Sequence, residues 1–149
     1  MATVIRNQSS KCTAYRQDNK NWKNLAFTDG GTIGTVGCSM TCVGMCIKKS
    51  PKTIYNDGFT SSICDWSGIG SNYGKTLKTV SATLSNLAST LSNYPAIVGV
   101  GGHFVVVYKF EGDPDNPQKS DFSVHDPARS DGTLDRSAYS DITSIRYYK

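Results

Sequence analysis

The chain has 149 residues, 38% hydrophobic and 19% charged, with a formal net charge of +4 at pH 7. That length fits one compact domain spanning residues 1–149, and that composition can bury a core, which excludes a disordered tail. No apolar run is long enough to span a bilayer. The basic residues are scattered apart from Lys48-Lys49, and they do not interleave with aromatic residues in one stretch. Nucleic acid is therefore not expected as a partner, and the charge is read as no more than steering toward an anionic surface such as a cell wall.

The N-terminal stretch MATVIRNQSSKC carries one Arg and no apolar segment, so synthesis in the cytoplasm without a signal peptide is expected. Cys12, Cys38, Cys42, Cys46 and Cys64 are an odd number, which argues for reduced thiols rather than a disulfide scaffold. Residues 12–37 read as loop, because TDGGTIGTVG carries too many glycines for a stable helix. Residues 38–49 read as a short helix closed by Lys48, Lys49 and Pro51. Residues 50–75 are polar and irregular, punctuated by Tyr55, Phe59, Trp66 and Tyr73. Leu77, Val80, Leu84, Leu87 and Leu91 recur at intervals of three and four, which predicts one amphipathic helix ending near Asn93.

The second half is strand-like. PAIVGVG and HFVVVYKF are rich in β-branched and aromatic residues and flank Gly101-Gly102, as in a strand pair or one bent strand. A loop rich in turn formers, EGDPDNPQKSD, precedes a short strand in FSVHDP, and ITSIRYY reads as the last strand. Helices followed by strands predict an α+β domain with an antiparallel sheet.

Three residues stand where local folding does not ask for them. Cys38 follows Gly37 at a helix start, where unpaired N–H groups and the helix dipole favour a thiolate and the Cys38 N–H is free to donate to an oxyanion. A small buried hydrophobe is the plain alternative for this position. His103 opens an apolar strand after two glycines; a half-exposed histidine at a strand end is its plain alternative. Asp126 ends a strand before Pro127, where a carboxylate can orient an imidazole, though Asp-Pro is also a common turn start. His125 competes with His103 as base, but neighbouring strand residues face opposite ways, so His125 and Asp126 do not share a site. Cys42 and Cys46 follow Cys38 at intervals of four; that spacing lacks the two-residue knuckle of zinc sites, and both are read as core residues, with no metal or other cofactor expected.

These features share an order with a known family. The segment Gly37-Cys38-Ser39-Met40-Thr41-Cys42-Val43-Gly44-Met45 resembles the nucleophile motif of the bacteriocin-processing-like branch of papain-fold cysteine peptidases, peptidase family thirty-nine and its relatives. Gln17-Asp18 with Trp22 resembles that family's entry segment, Pro95 through Val107 its Gly-His-Phe-Val-Val strand, and Asp126-Pro127 its Asp-Pro. The resemblance spans roughly residues 15–127. Ser39 departs from the glycine frequent after the nucleophile, and residues 50–75 have no counterpart.

The resemblance implies a papain-like fold in which a helix bearing the nucleophile packs on an antiparallel sheet. It implies a cysteine peptidase with Cys38 as nucleophile, His103 as base, Asp126 as its orienter and Gln17 as oxyanion donor. A peptide, or the peptide of peptidoglycan, is the expected substrate and a monomer the expected state. A phage or bacterial lysin released to act on the cell wall is the leading expectation. An intracellular protein-processing peptidase, an inactive peptide-binding module and a thiol-metal or redox protein are the rivals.

Overall fold

In a computed structural model of the chain, which describes residues 2–149, the strands form one antiparallel sheet flanked on both faces. The elements run β1 (Val4–Asn7), α1 (Ile33–Val36), α2 (Cys38–Ile47), α3 (Pro51–Asn56), α4 (Trp66–Asn72), β2 (Leu77–Val80), α5 (Leu84–Thr90), β3 (Ala96–Gly99), β4 (Phe104–Gly112), β5 (Phe122–His125), β6 (Gly132–Thr133) and β7 (Ser144–Tyr148). Strand order is β2-β7-β3-β4-β5-β6. β1 adds to β4 at residues 109–112, beyond the stretch that pairs with β3.

Alternation along the strands divides the core in two. Ala96, Val98, Val105, Val107 and Ile145 face a cluster closed by Leu87 and Leu91 from the α5 region and by Leu134 and Tyr139 from the loop after β6. Ile97, Val106 and Tyr148 face the opposite cluster, where α2 contributes Met40, Cys42, Val43, Met45 and Ile47. Each face buries its side chains against a separate layer, as the period of two requires. β3 is buried at every residue, in keeping with cover on both sides.

Three expectations are corrected. The apolar spacing from Leu77 to Leu91 is not one helix. Leu77–Val80 is a strand paired with β7, and α5 starts only at Leu84, with the Thr83 hydroxyl accepting from the Asn86 N–H at 3.1 Å. Leu77 packs against the α2 cluster and Leu84 against the other, so the apparent stripe serves both faces of the sheet. Residues 50–75 are not irregular throughout: Ser50 caps α3, with Pro51 in its first turn, and Asp65 caps α4. One helical turn also forms inside the glycine-bearing loop, at Ile33–Val36, where the Thr32 N–H donates to the Thr35 hydroxyl at 2.9 Å.

Gly101 and Gly102 form the β3–β4 turn. Val100 N–H donates to His103 C=O at 2.8 Å, and φ is 79° and 76° at the two glycines. Two positive φ values in a two-residue loop make a hairpin turn that only glycine or a few small polar residues tolerate. This turn delivers His103 to the mouth of β4.

Candidate active site

α2 begins at Cys38 because Gly37 breaks the helix before it. A Cβ at Gly37 would lie 2.4 Å from the Ile33 carbonyl oxygen, so the close passage of α1 onto α2 excludes any side chain there. The break leaves Cys38 in the first turn of α2, where backbone N–H groups have no intrahelical acceptor. The thiol is partly buried. Burial by itself raises its pKa, but the hydrogen bond with His103, the charge of His103 and the backbone N–H groups of Phe104 and Ser39 outweigh it and hold the thiol below its usual range.

His103 is placed by the glycine turn, and its Nε2 lies 2.8 Å from Asp126 Oδ1. With Nε2 engaged, Nδ1 is the ring nitrogen left for sulfur. The bonds to Asp126 first and Cys38 second raise the pKa of His103 to about 9. Asp126 follows β5 and its side chain is fully buried. Burial opposes its charge, yet donors from His103, Tyr139 and the Ala128 N–H hold the carboxyl well below the usual range.

Gln17 lines the same cleft, of about 380 Å³, together with Thr35, Val36, Cys38, Gly102 and His103. Its Nε2 donates to the Gly34 carbonyl at 3.1 Å and its backbone N–H to Pro127 C=O at 2.8 Å. One hydrogen of the amide nitrogen is thus committed and the second is uncommitted. The four residues read from the sequence therefore meet at one place, drawn from the loop before α1, the start of α2, the β3–β4 turn and the end of β5.

His125 stands apart. It stacks on Tyr108 with ring centroids 4.0 Å apart and its Nδ1 lies 2.9 Å from Asp131 Oδ2. Cys42 is fully buried in the α2 cluster and Cys46 packs against it; burial raises the pKa of both thiols. Sequence reasoning missed Tyr139, Arg129 and Arg136, which approach Asp126 Oδ2 at 2.6, 3.5 and 3.7 Å. They lie on the loops around β6, where no local pattern points back to Asp126. It also missed the Phe104 N–H, which helps hold the Cys38 thiol below its usual range and comes near it because β4 packs beside α2.

A solved structure of a double glycine motif protease from an AMS/PCAT transporter, in complex with the leader peptide, superposes on 100% of this chain and 98% of that one, with a TM-score of 0.57 and 20% sequence identity. The fold is papain-like. In this chain the thiol lies at the start of a helix, and the imidazole and the carboxylate lie at the ends of strands in the sheet it packs against. No protein-family profile and no curated protein matches the chain.

Proposed function

We propose that this chain is a cysteine-type amide hydrolase acting on peptides, with Cys38 as nucleophile, His103 as general base and acid, and Asp126 as orienter. The observation that carries this reading is the pairing of a thiol held below its usual range with an imidazole whose Nε2 lies 2.8 Å from a buried carboxylate. Proton transfer from Cys38 to His103 gives a thiolate and an imidazolium. The sulfur adds to the amide carbonyl. The oxyanion accepts from the second hydrogen of the Gln17 amide and from the Cys38 N–H. The C–N bond breaks as His103 protonates the leaving amine, which leaves a thioester. Water, losing a proton to His103, then adds to the thioester; the C–S bond breaks and the thiolate returns.

A peptide substrate is supported by the leader peptide held by the structural neighbour. Within that class, the peptide cross-links of peptidoglycan are the proposed target, favoured by the net charge of +4, which steers toward an anionic wall. Processing of a protein segment is the second reading, favoured by the neighbour's own ligand.

Iodoacetamide tests the site without a substrate. Fast alkylation of Cys38 at neutral pH that slows in His103→Ala supports the enzyme; slow alkylation insensitive to His103 marks an inactive peptide-binding module and overturns the proposal. Turbidity of Gram-positive cells then separates the substrates. A fall that needs Cys38 supports the lysin, and none across many walls overturns it in favour of processing.

A further inference from the structure

Asp126 is more heavily provided with donors than orienting one imidazole requires. Oδ1 accepts from His103 Nε2 and from the Ala128 N–H, each at 2.8 Å. Oδ2 accepts from the Tyr139 hydroxyl at 2.6 Å and, at 3.5 Å, from the half-exposed Arg129 Nη1, and the Tyr139 hydroxyl in turn accepts from Arg136 Nη1 at 3.2 Å. Arg136 Nη1 stands 3.7 Å from Oδ2, outside hydrogen-bonding distance. Its Nη2 is pinned to the Ser130 and Asp131 carbonyls at 2.9 and 3.1 Å. The phenol hydroxyl therefore bridges a guanidinium and a carboxylate that already pair at 3.7 Å without a direct hydrogen bond.

We infer that Tyr139 is a positioning residue for the Cys38–His103–Asp126 relay: its hydroxyl fixes Oδ2 and keeps Arg136 from taking the carboxylate away from His103. This inference rests on the reading of those three residues given above. Without the hydroxyl, Arg136 closes on Oδ2 and competes with the imidazolium for the carboxylate charge, because a planar guanidinium pairs with a carboxylate more favourably than it shares one at a distance. His103 then gives up its proton more readily, and the thiolate–imidazolium pair ends at a lower pH. The ionisable groups around the relay are Cys38 and Cys42 on α2, and Arg129, Arg136 and Tyr139 on the loops around β6.

The test compares the rate of Cys38 alkylation by iodoacetamide against pH in the wild-type chain, Tyr139→Phe, Arg136→Lys and Asp126→Asn, each checked for folding by circular dichroism. Tyr139→Phe keeps the ring and removes only the hydroxyl. Its upper inflection, which reports His103, is expected to move down by about one pH unit, a tenfold change in proton affinity. Alkylation at pH 7, a full unit below that shifted inflection, is expected to stay within about twofold of wild type, with the fold intact. Arg136→Lys, which lacks the planar fork, is expected to shift the inflection less than Tyr139→Phe. A shift in Asp126→Asn with wild-type behaviour in Tyr139→Phe overturns this inference alone. Wild-type behaviour in Asp126→Asn overturns the relay itself. A Tyr139→Phe chain that loses stability but keeps the wild-type inflection has a structural tyrosine only, and that outcome also overturns the inference.

Discussion

At Gln17 and Cys38 the chemistry depends on where single hydrogens point. Cys38→Ala is expected to abolish turnover, because no other group in the cleft is a nucleophile of comparable strength. Gln17→Ala is expected to lower kcat on the order of a hundredfold while leaving iodoacetamide alkylation of Cys38 nearly unchanged, since an oxyanion donor acts only once an oxyanion forms. Steady-state kinetics beside alkylation rates separate these effects. The pH dependence follows from His103, whose pKa is raised from 6.5 to about 9 by Asp126 and Cys38. Turnover is expected to fail as pH rises through about 9, when no proton remains for the leaving amine. The same shift has a stability counterpart. A group whose pKa is raised on folding stabilises fully below its unfolded value, here 6.5, and that contribution is lost as pH rises through about 9. Asp126, lowered on folding, works the other way, and its contribution is present above 3.8 and lost in acid. Urea midpoints from pH 4 to 10 should therefore decline on the alkaline side, and Asp126→Asn should flatten that decline.

The element that matters most is the α1–α2 junction. Gly37 has an ordinary negative φ of −91°, so its requirement is space and not backbone conformation. Gly37→Ala puts a Cβ 2.4 Å from the Ile33 carbonyl oxygen, and the two helices must part to admit it. The expected cost is about 1–3 kcal/mol in urea unfolding, the usual range for overpacking. Because the shift occurs next to Cys38 and Gly34, whose carbonyl holds Gln17, kcat is expected to fall further than stability predicts. The β3–β4 turn is the second critical element, since both its glycines have positive φ and His103 follows directly. The motif signal at Gly37-Cys38 was legible in the sequence. Its physical cause was not, because the distance to Ile33 exists only after α1 forms.

Across the whole molecule the sheet separates two cores of unequal consequence. Phe110 lies in the cluster on the α5 side, and Met45 in the cluster under α2. Both are fully buried, and truncation to Ala is expected to cost about 3–5 kcal/mol for Phe110 and about 2–5 kcal/mol for Met45. At matched fractions folded, Met45→Ala should lower kcat more, because only its cluster supports the helix that bears Cys38. Equal kcat in the two variants would show that α2 is held by something other than this packing. Among the described residues no helix is long and apolar enough to cross a membrane.

Read by itself, the sequence determined the α+β class, the start of α2 at Cys38, the two strand segments flanking Gly101-Gly102, and Cys38, His103 and Asp126 as candidate site residues, while Gln17 came from the family resemblance and the helix, read to residue 49, ends at Ile47. Those features are local: turn glycines, strand alternation, and a thiol, an imidazole and a carboxylate in telling surroundings. The sequence misled between Leu77 and Leu91, where a spacing of three and four arose from a strand and a helix facing different cores. It was silent on Tyr139, Arg136 and the Phe104 N–H. Only the tertiary structure decided these, because a hydrogen bond between residues far apart in sequence depends on which strands pair, and periodicity within a segment carries no record of that.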